Sequence, residues 1–591
     1  MSSKSRKEKM NLVKKYYKNY YEEFSTSLYP AFSNTRLGNF YGYINNKGNW
    51  VIYPEFQYAS FFYNNKVAIV KKNDLFGVIN LQGQYIVKPI YNELLNYKNN
   101  LAIYDLEGKK GIIDICGNKL NKIEYDFIEY YGENMYVVAR EDKNGIMLYG
   151  YIDKFGNEII IPKYVKASKF INGYALIKDE EKYFLINKLG EKIKNFSYKY
   201  IDKFNGKFMT YSNNDEGPYG YIDIEGNIII SQKYATAGMV KNNLAIISCE
   251  ENIDLFGVIN IRGEYIYPPI YNNIKFIDDD RLALGLPLEH IKNNLINLYA
   301  IGDLEGNLLC NFKYLNIDEY KENVASVYDM KNTFFIDRMC KVMDDLPKVK
   351  GSGSLVIKDN LIYADIDYNP YYLKVNGKVI YYPNIFIKLN KKYSVIKVKY
   401  KGNINYLVYY PKLNGMKNKK EQQKVNRILK SLSMYYEESK DENVYLKNYY
   451  YTNFEVQFFN KNLFIPNINS YHYTIGDAHG ISKKQTPIID LNTGVFYKLK
   501  DLFYENSKWD EKINNIIENK IKEMSEYKIF QDGFKGINEN VGFYVNDKCL
   551  FIYFNPYEIA PYSSGIITFK ISFNDLEFFI NKESDFYKAF N

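Results

Sequence analysis

The chain has 591 residues, 46% of them apolar and 17% aromatic, enough material for packed cores in two or more domains and too much for a chain disordered throughout. Its formal charge of +9 is modest and unevenly spread: the first fifteen residues carry 6 Lys and Arg against 1 Glu, residues 16–384 carry 42 against 45 acids, and residues 385–591 carry 30 against 23, so no basic stripe marks a nucleic-acid channel. The five cysteines are scattered, which excludes a disulfide scaffold, and no apolar run approaches the roughly eighteen residues of a membrane span.

The first residues lack an uninterrupted apolar stretch ahead of a small-residue cleavage site, so a secretory signal is not expected. Synthesis in the cytoplasm follows. A surface location would then require lysis, an unusual route, or assembly into a spore inside a mother cell. Leu12, Val13, Tyr16, Tyr17, Tyr20, Tyr21 and Phe24 fall at helical spacing with lysines between them, which predicts an amphipathic helix over 7–24 within an N-terminal segment 1–36.

From Gly42 to Tyr328 a repeat takes over, and one copy reads YGYIDKFGNEIIIPKY from Tyr149 to Tyr164. A glycine recurs as Gly48, Gly83, Gly117, Gly156, Gly190, Gly226, Gly263 and Gly306. Each follows an Asn or Asp by three positions: Asn45, Asn80, Asp114, Asp153, Asn187, Asp223, Asn260 and Asp303. That pair predicts a hairpin turn in which the Asx side chain accepts from the turn backbone and the glycine takes the left-handed conformation. Eight residues after each glycine stands an aromatic, from Phe56 and Tyr91 to Tyr271 and Tyr314. About nineteen residues after it many copies carry alanine: Ala68, Ala102, Ala175, Ala245, Ala283 and Ala325. The fixed offsets place the rings on one side of a sheet and predict close packing between neighbouring units.

One unit cannot bury its own apolar face, so a domain over 37–345 is expected to be mainly β: an eight-bladed propeller-like array, with an open β-solenoid as the alternative. The copies resemble the bacterial WG, or KWG, repeat family. The leading glycine is present at Gly42, Gly77, Gly111, Gly150, Gly220 and Gly257. Phe184 and Ala300 replace it in two copies, and a half-formed ninth copy has Phe334 there and Cys340 at the turn. The family's tryptophan is Tyr or Phe in nearly every unit. The 63 tyrosines are read as half-buried strand residues of a composition rich in Asn, Lys and Ile, rather than as cross-linking or sugar-stacking groups. The run Asp278, Asp279 and Asp280 is read as a solvated loop rather than a cation site.

Residues 346–384 carry Gly351, Gly353 and Asn376-Gly377 and are expected to be a linker with its own hairpins. After it the period changes to an α+β pattern, with strands around Lys401-Gly402-Asn403 and helices over 419–436 and 510–524. GDAHG at Gly476 to Gly480, DLNTG at Asp490 to Gly494 and YEIAPYSSG at Tyr557 to Gly565 resemble the paired DUF4163 and DUF3298 domains of RsiV-type anti-sigma factors and PdaC-type peptidoglycan deacetylases. The resemblance implies a DUF4163-like part at 385–475 and a DUF3298-like part at 476–591. It also implies a sensor-like role, since that region in the anti-sigma relatives is a lysozyme receptor.

Candidate binding residues are Gly476, Asp477, His479, Gly480, Tyr557, Glu558, Pro561, Tyr562 and Gly565. Glu558 is expected to pair with a backbone group or with His479. Two histidines, His472 and His479, fall short of the three or four convergent ligands of a zinc site, so no metal or cofactor is expected. No nucleophile or P-loop motif is present, and the catalytic domain of the deacetylases is missing. The expectation is a non-enzymatic binding or structural protein whose partner is a protein or a peptidoglycan-type glycan. The alternatives are a cytoplasmic scaffold, and a cell-wall hydrolase using Glu558 and Asp490.

Overall fold

A computed structural model describes residues 28–36, 38–64, 66–250, 252–288, 296–435, 448–474, 476–524, 529–530 and 533–591. The helix expected over 7–24 lies outside the described residues. The chain divides into two units, one holding 28–31, 41–288 and 296–382, the other 32–40 and 383–591.

The first unit is built as the repeat predicts. In one copy Phe127–Gly132, Met135–Glu141, Met147–Asp153 and Glu158–Tyr164 form a four-stranded antiparallel sheet in sequence order. The turn between its last two strands has the expected chemistry. Asp153 Oδ1 accepts from the backbone N–H of Phe155 at 2.8 Å and of Asn157 at 2.9 Å, and Gly156 sits at φ 80°. The rings and alanines of the repeat meet between sheets. Ile52 and Phe56 of the first copy pack with Ala68 and Ile79 of the second, and Tyr164 packs with Ala175 and Ile186.

Three of the tyrosines have a specific reason to be Tyr rather than Phe. Tyr43, Tyr151 and Tyr221, each buried, donate their hydroxyls to the carbonyls of Ser60, Ser168 and Gly238 at 2.9, 2.7 and 2.9 Å. A buried ring thus hydrogen-bonds the chain that leads into the next sheet, satisfying an oxygen that would otherwise be desolvated without a partner.

The array is longer than the eight glycine-marked copies. The ninth copy, despite Cys340, makes a complete four-stranded sheet from Asn316–Ile317, Val324–Tyr328, Asn332–Asp337 and Val349–Lys350. The stretch expected to be a linker over 346–384 forms another, from Gly353–Lys358, Leu361–Ile366, Asn369–Lys374 and Val379–Tyr381. Its hairpins are present, but they close on one another because Leu355, Ile357, Ile362 and Leu373 share an apolar face that must be covered. With the seven-stranded sheet counted as two copies sharing Ile228–Ala237, the described residues hold ten four-strand units or their shortened forms.

An apolar cluster lies between each consecutive pair of units, and a further cluster joins the last unit to the first. In that closing cluster Tyr29, Ala31 and Ile44 pack with Leu361 and Tyr372. The Tyr372 hydroxyl donates to Pro30 O at 2.7 Å, and the Tyr29 hydroxyl to Asp359 Oδ2 at 3.1 Å. The first and last faces therefore cover each other, where an open solenoid would leave both apolar.

The second unit is α+β. Its main sheet runs Phe386–Lys388, Ser394–Asn403, Tyr406–Asn414, Asn448–Asn460, Leu463–Thr474, Ile488–Asp490 and Phe496–Tyr497, with Ile481–Gln485 also paired to Leu463–Thr474. Helix α1, Lys419–Ser433, begins where the Asn418 side chain accepts from the N–H groups of Lys420 and Glu421. It buries Val425 and Leu429, a pair worth about 4 kcal/mol by removal of apolar surface from water. Helix α2, Trp509–Lys522, buries Ile513 and Ile517.

The boundary expected between 475 and 476 is not a boundary in the structure. It falls inside the pairing of Leu463–Thr474 with Ile481–Gln485. The strand before it serves two cores: Phe464 and Ile468 pack under α1, while Leu463 and Ile465 pack with α2 and the small sheet Gly542–Val545, Cys549–Phe554, Ile567–Ser572. A strand buried on both faces cannot be divided between independently folding halves.

Candidate functional site

The sequence motifs GDAHG and YEIAPYSSG, almost eighty residues apart, meet in the second unit. The His479 ring stacks on Tyr562 with centroids 4.1 Å apart and planes 23° from parallel, and lies nearly parallel to Tyr557 at 6.0 Å. Tyr557 Oη and His479 Nε2 are 2.7 Å apart, and His479 Nδ1 is 3.1 Å from Gly480 O. A carbonyl only accepts, so Nδ1 carries a proton and donates to it; in the neutral imidazole Nε2 then accepts from the tyrosine hydroxyl. Both ring nitrogens are thereby engaged, and metal ligation or proton transfer at His479 would break one of these bonds.

The backbone around the rings is constrained. Tyr557 itself has φ 70°, a left-handed conformation that costs a residue with a Cβ about 1–2 kcal/mol, and the residue is 49% exposed. The Tyr557 N–H donates to Ala560 O at 2.9 Å. Pro561 precedes a short 3-10 turn, Tyr562–Ser564, which ends at Gly565 with φ 64° and ψ −147°, a region open only to glycine. On the other side Gly480 allows the Tyr471 ring to lie against it, since a Cβ there would fall 2.3 Å from that ring. Gly476 turns the exposed loop at φ 105°, and Asp477, also exposed, donates its N–H to Thr474 O at 3.0 Å.

Glu558 resolves to the backbone partner, not to His479: its Oε2 accepts from Asn555 N–H at 2.7 Å. Asn555 escaped the sequence reading and positions the loop, because its Oδ1 accepts from Lys484 N–H at 2.7 Å and so ties 555–565 to Ile481–Gln485. Only an Asn two places before the aromatic hinted at it, and the contact spans 71 residues. Beneath the loop the Lys484 ammonium lies 4.5 Å from the Tyr544 ring centroid and 5.0 Å from that of Tyr553. Burial holds the Lys484 amine below its ordinary range and pushes the Tyr553 hydroxyl up to about 12.

The other candidates serve structure. Asp490 is buried and caps its own turn, accepting from Asn492 N–H and Thr493 Oγ1, each at 2.8 Å. His472 stacks on Tyr435 at 4.2 Å and does not join His479 at the ring cluster. Among the described residues no group of three or more His, Cys, Asp and Glu converges. In the first unit the acidic run holds arginine rather than standing free in solvent: Asp278 and Asp280 both bind the Arg338 guanidinium, and Arg281 Nη1 lies 2.8 Å from Asp280 Oδ2.

Burial would raise the Asp280 carboxyl, but the Arg338 hydrogen bond and the two guanidinium charges hold it below the usual aspartate range. A lowered folded value means a stabilisation fully present above the ordinary aspartate pKa and lost as pH falls through the folded one. Arg338→Gln should therefore cost about 1 kcal/mol or less at neutral pH, since the pair is partly solvated. The gap in Tm from wild type should narrow towards about pH 3, and a gap that widens on acidification would contradict the pairing.

The family model described as "WG containing repeat" matches residues 41–76, 76–109, 149–183, 219–252 and 256–284. The unmatched copies include the two whose leading glycine is Phe184 or Ala300. The model described as "Protein of unknown function (DUF3298)" matches 500–574, which takes in Tyr557 to Gly565. No curated protein matches the chain. Among solved structures, a DUF3298 family member from Bacteroides fragilis NCTC 9343 is similar at 21% identity over 32% of this chain and 93% of its own, with a TM-score of 0.25. A DUF3298 family protein from Pseudomonas aeruginosa PAO1 is 18% identical over 32% of this chain and 94% of its own, with a TM-score of 0.24. Apo AztD from Citrobacter koseri is similar over 60% of this chain and 92% of its own, at 10% identity and a TM-score of 0.25. This chain carries WG repeats followed by a C-terminal DUF3298 domain.

Proposed function

We propose that this is a non-enzymatic binding protein in which a cyclic, propeller-like repeat array serves as a rigid platform and the second unit binds a cell-wall glycan at His479, Tyr557 and Tyr562. The observation that carries this reading is the ring cluster itself. His479 stacks on Tyr562 and lies nearly parallel to Tyr557 at the surface, and Tyr557 is held in a left-handed backbone conformation that carries a strain cost. Flat apolar faces edged by hydroxyls suit the C–H faces and hydroxyls of a sugar ring. Envelope or spore association belongs to this reading, as does a DUF4163-like assignment of 385–475.

Retention of the purified chain on insoluble peptidoglycan tests it, with lysozyme beads and an inert polysaccharide in parallel. Tyr557→Gly separates binding from folding, because glycine relieves the backbone strain while removing the ring. Retention should fall about tenfold, the worth of one stacked ring, with Tm unchanged or slightly higher. Equal retention of the variant, or capture by lysozyme alone, would reject the glycan assignment. Recovery only in a cytoplasmic complex with other proteins would favour a scaffold.

A further inference from the structure

The repeat has a contact rule that its sequence does not announce. At five turns, Gly83, Gly117, Gly156, Gly190 and Gly263, the glycine packs on the residue four places after the turn glycine of the copy before, while Gly226 and Gly306 meet Phe196 and Ile266, six and three places after theirs. A Cβ on Gly83 or Gly190 would lie 3.3 Å from the side chain of Ile52 or Ile160, and one on Gly263 would lie 3.6 Å from Ile230. In the ninth copy the turn position is Cys340, and four places after Gly306 stands Cys310. Cys340 keeps the turn unaltered: its φ is 59°, its N–H donates to Asp337 O at 3.0 Å, and Asp337 Oδ1 accepts from Met339 and Lys341 N–H at 2.9 Å. Its side chain stands where the other turns lack a Cβ and is hydrogen-bonded to the Cys310 side chain. Both belong to the apolar cluster between the eighth and ninth units, where Cys310 Sγ also accepts from Ile301 N–H at 3.4 Å.

We propose that Cys310 and Cys340 form a reversible disulfide that staples the eighth repeat unit to the ninth. Cys310 is the more accessible of the two, being half-buried where Cys340 is buried. The hydrogen bond from Cys340 lowers the Cys310 thiol against the opposing effect of burial, with Ile301 N–H and Lys313 assisting. Cys310 is accordingly the attacking thiolate. With a small aliphatic disulfide such as oxidised glutathione, the Cys310 thiolate attacks one sulfur, the S–S bond breaks, and one glutathione thiol leaves. Cys340 then gives up its proton and attacks Cys310 Sγ, expelling the second. The protein loses two hydrogens and two electrons, and the oxidant becomes two thiols.

The full chain, equilibrated in graded mixtures of reduced and oxidised glutathione and then alkylated, should yield a peptide joining residues 310 and 340. Cys116, Cys249 and Cys549 should remain unlinked to either. Cross-linking should raise Tm, and reductant should reverse the rise. Cys340→Gly restores the residue of the other turns and keeps the fold. In that variant Cys310 should stop at the mixed disulfide with glutathione. Complete alkylation of both cysteines at the oxidising end, or linkage of Cys310 to any other cysteine, would overturn the proposal.

Discussion

Gly150→Ala should destabilise the protein by about 3 kcal/mol, the upper end of what overpacking costs, read as a fall in the denaturation midpoint at unchanged slope. The residue is the leading glycine of its repeat. Tyr149 pairs with Tyr164 and Tyr151 with Ile160, so three residues on one strand face five on the other, and the surplus arches over Gly150. A Cβ there would lie 2.4 Å from Ile160 O, 2.6 Å from Pro162 N and 2.7 Å from the Ile161 carbonyl carbon. These are backbone atoms, and no side-chain rotation relieves them. Gly42, Gly77 and Gly257 face the same arch, with Pro54, Pro89 and Pro269 in the place of Pro162. Gly173 is the control: it has φ 82° but nothing within 4 Å of its Cβ position. Gly173→Ala should therefore cost only about 1 kcal/mol of backbone strain. Equal losses for the two variants would mean that the arch yields and that the leading glycine is needed only for flexibility.

Tyr372→Ala should cost about 3–5 kcal/mol, because it removes the ring at the centre of the cluster joining the last unit to the first. The side chain is almost completely buried and packs on Tyr29 at 5.6 Å and Tyr363 at 5.3 Å. Tyr372→Phe isolates the hydrogen bond to Pro30 O and should cost about 1–2 kcal/mol, since a buried carbonyl is left without its donor. Limited proteolysis gives a second readout: opening the closure should expose cleavage sites in 28–56 and 353–381 ahead of the middle of the array. A Tyr372→Ala protein that melts within about 1 kcal/mol of wild type would show that the array is held by its neighbour contacts alone.

Much of the repeat was legible because its determinants are local. Asp153 and Gly156 act within a single turn, so their spacing reports the hairpin directly. Tyr164 and Ala175 lie at fixed offsets along strands, and strand geometry converts offset into face. The candidate ring cluster was legible only as two motifs. Nothing in the order of residues placed His479 against Tyr562 rather than beside His472, because strand pairing, with Asn555 tying the loop to Lys484, decides which distant loops converge. Glu558 was open between two partners for the same reason, and the shorter path, to Asn555 N–H, prevailed.

The sequence by itself determined the unit: the Asx–Gly turn, the aromatic eight places after it, the change to an α+β pattern after 384, and a charge balance without a nucleic-acid stripe. Only the tertiary structure decided how many units there are, that the last covers the first, and that 385–591 shares one strand between two cores. The difference is physical. A turn is specified by the conformations and hydrogen bonds of four or five consecutive residues, whereas an apolar face is indifferent to which apolar face covers it until the whole chain has been packed.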